Sequence, residues 1–492
     1  MQEVSPAPAS GLDWVRRHRV GCVLGAMVAV WTATYVGLGA IRHNRFGTFG
    51  FDLGIYDQAV WLVSNFHDPF ITVRGMNFFG HHFNPFLILF APFYWLGAGA
   101  RFMLVFQVLA QAGAGLGVYL LARDRLRSRW LGVAMAGVLF LNPTNQWLVW
   151  EFFHPDVLAI PGLVFAYWAA RQKRWGLLWL SAFLTLSVKE DAALAILMLG
   201  ILLVAWGERR RGALLAGIAL GWFVLVTRVL LPEVNGVAPF YDYFFSDFGS
   251  SPLEVIRNAI SNPTKTLRYI TQRDHLIWYF KMLIPFAFLP LRGWWAFGLA
   301  LPMVAVNVLT SFPYTRDFRF HYSAIVLAAA VIATVEAIAR LQPHLRRLAV
   351  GAVGVAALGS SIALGPGPLS WNYTDGQWPL GSEARAAAEI RQQALALVPS
   401  EASVSAAYSL VPHLAHRREV YEFPVPWRNV NWGIAGENLA DPAGVDWIVL
   451  DRSRLDPRDG DVMALVDELL VTQFTIRFDQ EGVLVAERTA SG

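Results

Sequence analysis

Cysteine is almost absent from this chain of 492 residues: Cys22 stands alone, so no intrachain disulfide can form and cysteine says nothing about redox compartment. Charge is scarce as well. Asp, Glu, Lys and Arg make up 15% of the residues, where a soluble domain carries about a quarter. No loop carries a P-loop, a dinucleotide fingerprint or a His-Glu-x-x-His zinc motif, so soluble nucleotide-sugar or ATP chemistry is not indicated. The formal net charge of +4 does not point to nucleic acid either, because the basic residues fall in short loops between apolar runs, where they set topology.

Apolar residues fill the gap, at 55% of the chain. Runs such as 192–206 and 323–335, counted with their flanks, reach the ~20 residues that cross a ~30 Å hydrocarbon core. Arg16, Arg17 and Arg19 precede the apolar stretch 20–41. It is too long for a signal-peptide core and ends in no Ala-x-Ala-like cleavage site, so it reads as an uncleaved first span with residues 1–19 in the cytoplasm.

Basic clusters at 123–129, 171–174, 209–211 and 340–347 belong on the cytoplasmic side. Parity allows this only if 83–96, short and broken by Pro85 and Pro92, does not cross but is re-entrant or juxtamembrane. About eleven spans then remain, at 20–41, 101–122, 130–142, 155–170, 175–189, 192–206, 213–231, 276–291, 294–311, 322–340 and 348–365. The expected architecture is mainly α, a polytopic transmembrane bundle over 20–365 with long outer loops at 42–100 and 232–275. Residues 371–492 change character and read as a small extracytoplasmic α/β domain. Its elements are a helix at 382–398, strands at 403–410 and 447–451, a helix at 462–471, and a hairpin over 474–488 turning at 480–482.

Polar residues concentrate at the outer ends of the spans. Asp52 and Asp57 follow the first span among aromatics, a setting suited to metal binding or general-base work. Asp52 could equally be the N-cap of a helix running to about Asn65, on which Asp57 would lie about 140° away. His81 and His82 read as a polar edge of the re-entrant segment, since adjacent histidines rarely chelate one ion. In the next outer loop, Pro155 and Asp156 make a good span N-terminus, which leaves Glu151 and His154 unexplained beside them. Lys189, Glu190 and Asp191 read as ordinary interfacial charge. Arg316 and Arg319, at i, i+3 spacing with His321 and Tyr322, place guanidinium forks where the positive-inside rule disfavours them. They suit either a phosphate or pairing with nearby carboxylates. In the tail, His413, His416 and Arg417 form a polar cluster after Pro412 that either solvates a loop or shapes a site.

The blocks Phe51-Asp-Leu-Gly-Ile-Tyr-Asp-Gln58, His154-Pro-Asp156, Lys189-Glu-Asp191, Arg319-Phe-His-Tyr322, Pro412-His-Leu-Ala-His-Arg417 and Tyr421-Glu-Phe-Pro424 resemble, in order, the signature of the domain-of-unknown-function 2079 membrane proteins. That family is in turn distantly similar to the GT-C glycosyltransferases. The resemblance implies an inverting transferase at the outer face of a bacterial plasma membrane, taking a sugar from a polyprenyl-phosphate-linked donor to a cell-envelope acceptor. It implies a catalytic carboxylate at Asp52 or Asp57, a second acidic group at Glu151 or Asp156, and donor phosphate held by Arg316 or Arg319, with Lys189, His321 and Tyr322 nearby. His413, His416 and Arg417 would form the acceptor side. Mg2+ or Mn2+ on Asp52, Glu151 and Asp156 is the one cofactor this reading admits. A non-catalytic lipid-binding or lipid-translocating protein is the rival; it would share the arginines and not need the aspartates.

Overall fold

The computed structural model describes residues 11–236, 244–429, 437–455 and 459–489, with side chains from His18 onward. The chain is mostly helical. Among the described residues, five helices are long and apolar enough to cross a membrane: His18–Asn44, Ala100–Leu126, Arg209–Asn235, His321–Ala339 and Pro343–Leu364. Arg129–Leu141, Trp175–Leu186 and Ala192–Ala205 are apolar but shorter. Thirteen residues of helix rise only ~20 Å, so several expected spans are shorter than the hydrocarbon core.

At the centre lies Ala324–Ala339, buried along nearly its whole length. Ala328, Ala329, Ala330, Ala333 and Ala337 keep its surface low, and neighbours approach closely, as small residues permit between apolar helices. A Cβ on Gly293 would sit 2.2 Å from the Ala333 carbonyl oxygen, so only glycine fits at that crossing. Glu336 breaks the apolar pattern of this helix. It accepts two hydrogen bonds from Arg125, at 2.8 and 2.7 Å, and meets Arg171 at 3.5 Å, tying three helices at one end of the bundle.

One sequence expectation needs correction here. The span expected at 276–291 ends at Phe286, because Ala287 and Phe288 take left-handed backbone angles before the short helix Leu289–Arg292. The segment 83–96 is a 3-10 stretch, Pro85–Phe90, followed by one helical turn, Ala91–Tyr94; ten residues with prolines at 85 and 92 are too short to cross.

The tail carries a five-stranded sheet, β1 Val404–Ala406, β2 Val420–Glu422, β3 Trp447–Asp451, β4 Phe474–Gln480 and β5 Val483–Arg488, in the order β2-β1-β3-β5-β4. β1 pairs in parallel with β2 and β3, and the β4-β5 hairpin adds antiparallel to β3. Helices Ser382–Leu395 and Gly460–Thr472 accompany it. The sheet is bound to the first outer loop: Thr72 Oγ1 donates to the Val420 carbonyl at 2.7 Å and accepts from its N–H at 2.9 Å, and Gln58 Nε2 donates to the Arg418 carbonyl at 3.2 Å.

Candidate functional site

Asp52 does not cap a helix. The helix after it is Ile55–Ser64, and Asp52 lies in a preceding wide turn, Gly50–Gly54, with φ 64° and ψ −84°. A left-handed aspartate of this kind costs roughly 1–3 kcal/mol and persists only when its surroundings fix it. Here the tail fixes it. Gly50 N–H donates to the Tyr408 carbonyl at 2.8 Å, in the turn just after β1. A Cβ on Gly50 would lie 2.9 Å from Val411 Cβ, so the turn seats on the tail only with glycine at that position.

The opposite wall comes from a helix the sequence reading missed. Asn142 accepts from the N–H groups of Thr144 (2.9 Å) and Asn145 (3.4 Å), Pro143 starts the helix, and Pro143–Trp150 delivers Glu151 to the same cavity. Arg42 at the end of the first helix lies over the Trp150 ring at 3.7 Å and donates to the Trp150 carbonyl. From there the chain presents His154, and Pro155 starts the 3-10 turn holding Asp156. Lys189 and His321 complete a buried web. Asp156 meets His154 Nδ1 at 2.5 Å and Lys189 Nζ at 3.2 Å. Tyr56 OH reaches His154 Nε2 at 3.2 Å, and His321 Nδ1 reaches Glu151 Oε1 at 3.0 Å. The His154 and His321 rings stack 3.4 Å apart and nearly parallel.

This web floors a cavity of about 340 Å³ lined by Asp52, Glu151, His154 and His321, with walls of Phe49, Phe152, Phe320 and Tyr408 among others. A second cavity of about 230 Å³ is lined by Lys189 and Glu190 together with apolar side chains such as Leu194, Phe223 and Val306. His81, His82 and Tyr322 line both, so the two adjoin. Burial pushes the Asp52 carboxyl up, with His154 and Lys189 partly countering it, and burial beside Asp52 pushes Glu151 well up. Glu190 is held down in spite of burial by His82, whose Nδ1 lies 2.8 Å from Glu190 Oε1; Glu190 Oε2 also accepts from Phe83 N–H at 3.1 Å.

Two sets of side chains bring ligand atoms within 4.8 Å of one another: His154, Asp156 and His321, and Asp52, Glu151 and His321. The metal set expected from sequence is therefore divided. Asp52 and Glu151 come together, Asp156 belongs to the neighbouring set, and His321, assigned to phosphate, is common to both. Glu151 Oε2 is buried without a hydrogen-bond partner, which leaves a lone pair free for a cation.

Other expected site residues lie elsewhere. Asp57 is buried away from both cavities, accepting from Tyr94 OH at 2.6 Å and meeting His416 Nε2 at 3.2 Å. Arg316 and Arg319 share no helix face, because the 3-10 turn Pro313–Arg316 ends between them. Arg316 is spent on Asp274 at 2.7 Å and on the Asn307 and Thr310 carbonyls, and Arg319 chelates Asp317 at 2.6–3.0 Å. Nor does the tail cluster solvate a loop. His413 stacks on His43 and Phe46, and Arg417 donates to the carbonyls of Leu414, Pro399 and Ala402. Residues to which the sequence assigns no role in the site also line the cavities: His81, His82, Glu190 and Tyr408. The signal for Glu190 is its place between Lys189 and Asp191 at a span end, a pattern that by itself reads as ordinary interfacial charge.

The helical bundle, the docked sheet domain and the buried polar site together define a multi-pass membrane protein of ArnT-like fold. A crystal structure of ArnT from Cupriavidus metallidurans bound to undecaprenyl phosphate aligns with a TM-score of 0.56 at 15% identity, over 95% of this chain and 98% of that one. Its apo form aligns at 0.56 and 14%, over 97% and 99%. The Archaeoglobus fulgidus oligosaccharyltransferase in its apo form aligns at 0.45 and 14%, over 97% of this chain and 75% of that one. Residues 42–485 match the predicted membrane protein family DUF2079, and the chain belongs to that family. No curated protein matches it.

Proposed function

We propose that this protein is a GT-C-type inverting glycosyltransferase that moves a sugar from a polyprenyl-phosphate-linked donor to a cell-envelope acceptor at the outer face of the plasma membrane. The observation that carries this reading is the junction of the two cavities. One carries Asp52, Glu151, His154 and His321 among aromatic walls, and the other has largely aliphatic and aromatic walls with Lys189 and Glu190 in its lining; they meet at His81, His82 and Tyr322. Such a pair suits a sugar on one side and an isoprenoid chain on the other, with the phosphate between. The fold shared with ArnT, solved with undecaprenyl phosphate, supports the same assignment.

In this reaction Asp52 takes the proton of an acceptor hydroxyl as its oxygen forms a bond to the anomeric carbon. The bond from that carbon to the phosphate oxygen breaks on the opposite face, and the lipid phosphate leaves with the electron pair. Lys189, His82 and Tyr322 face the departing phosphate and offer it charge and hydrogen bonds. A divalent cation on either of the two ligand sets would supply Lewis-acid stabilisation of that charge, and the imidazole in both sets favours Mn2+ over Mg2+. The tail contributes Tyr408 to the cavity wall, and through it the seat of the Asp52 turn, rather than an acceptor site at His413, His416 and Arg417.

The class is tested by incubating the reconstituted protein with a polyprenyl-phosphate-linked hexose and cell-envelope extract. A transferase consumes the donor and releases polyprenyl phosphate. Retention of bound donor with its sugar intact, after many equivalents of acceptor, would identify a lipid-binding or lipid-translocating protein instead.

A further inference from the structure

The second outer segment carries basic residues where the positive-inside rule disfavours them, and neither cavity uses them. Arg257, Lys265 and Arg268 stand exposed on two consecutive helices, Pro252–Ser261 and Pro263–Ile270. The first helix is two-sided. Val255 is buried, and Asn258 donates to the Phe248 carbonyl at 2.7 Å. Leu253, Ile256 and Ile260, at i, i+3 and i+7, form one outward stripe, 74%, 55% and 74% exposed. Leu267 adds to it from the second helix at 61%. A row of aliphatic side chains this exposed, with cations beside it, marks a surface that something apolar and anionic covers.

The surrounding chain says what that is. The hairpin runs directly into Arg273–Leu283, whose Leu276, Ile277 and Phe280 are also exposed, so the apolar surface continues along the chain into the membrane part. It is tied to the rim of the second cavity, because Tyr269 OH donates to the carbonyl of Thr310, a residue that lines that cavity. We infer that Pro252–Ile270 is a monotopic membrane-binding hairpin. Its Leu253, Ile256, Ile260 and Leu267 stripe lies among the acyl chains of the outer leaflet, and Arg257, Lys265 and Arg268 engage lipid phosphates at the mouth of the second cavity. A polar-sided helix of this composition sits about 5–10 Å into the headgroup boundary and binds more firmly to anionic lipid. The inference depends on the chain being a membrane protein, not on sugar transfer.

The test uses the full chain in a Cys22→Ala background, with single cysteines replacing Leu253, Ile260 or Leu267 on the stripe and Ser261 off it, each carrying a small fluorophore. The samples are nanodiscs of phosphatidylcholine with or without phosphatidylglycerol. Doxyl-labelled lipid should quench the three stripe positions at least about twofold more than Ser261. The triple variant Arg257→Gln, Lys265→Gln, Arg268→Gln should lose the extra quenching that phosphatidylglycerol brings. Equal quenching of all four positions by aqueous iodide, with none from doxyl lipid, would overturn the inference. So would cross-links between copies at the Leu253 position without lipid quenching, which would assign the stripe to a second copy of the chain.

Discussion

Asp52 and Asp57 are five positions apart, and the backbone sends them to different surroundings. The left-handed turn at Asp52 opens its carboxylate to the cavity, whereas Asp57, in the first turn of the next helix, is enclosed by Tyr94 and His416. A similar sorting applies to the cations. Arg316 is held by one carboxylate and two carbonyls and is 7% exposed, so it anchors the segment before the central helix. Lys189 lines the second cavity and shares its charge with Asp156 and Asp191. We expect Lys189→Met to weaken polyprenyl phosphate binding by about tenfold or more, the worth of a charge-assisted hydrogen bond. Arg316→Ala should lower thermal stability and leave that affinity within about twofold. Equilibrium binding with polyprenyl phosphate and melting curves in detergent separate the two, and the reverse pattern would return the phosphate to Arg316.

Among the elements, the sheet edge behind Asp52 has the sharpest consequence. Burial pushes Glu422, at the end of β2, up to about 7 from an ordinary 4.5, and its Oε2 has no hydrogen-bond partner. A carboxyl whose folded value is raised holds its proton more tightly in the native state. Its protonated form therefore supports the fold at low pH, and that support is lost as pH climbs from about 4.5 toward 7. Glu422→Gln should accordingly raise the melting temperature at pH 7.5 and leave it nearly unchanged at pH 4.5. Equal effects at both pH values would mean that Glu422 has a partner after all. The elements themselves were largely legible in the sequence. The helix at Ser382, strand 447–451 and the hairpin turning at 480–482 follow from periodicity and turn chemistry. What was not legible depends on contacts across the chain. Residues 420–422 form a strand only because β1 lies beside them, and Pro143–Trp150 is a helix where polarity suggested a loop. The Asp52 turn has no local signature, because its geometry is imposed by Tyr408 and Val411, more than 350 residues away. The partners of His82 at 190 and 154 are not legible for the same reason, because they are distant in the chain.

On the scale of the whole molecule, the polar web, both cavities and the docked sheet all lie at one end of the bundle, and the Arg125–Glu336–Arg171 cluster closes the other. With the basic loops cytoplasmic, cysteines replacing Arg125 and Arg210 should resist an impermeant maleimide in intact cells, in a Cys22→Ala background. Cysteines replacing Asn65, Ser250 and Ser453 should be labelled. Labelling at position 125 would invert the arrangement and put the candidate site on the donor-poor side. The central claim, that Asp52 in this cavity is the base for sugar transfer, is most directly tested by comparing transfer rates and melting temperatures of Asp52→Asn and Asp57→Asn. The account predicts that Asp52→Asn loses about 10²–10⁴-fold in rate with a nearly unchanged melting temperature. Asp57→Asn should retain most of its rate and melt lower. Full transfer activity in Asp52→Asn would contradict the account.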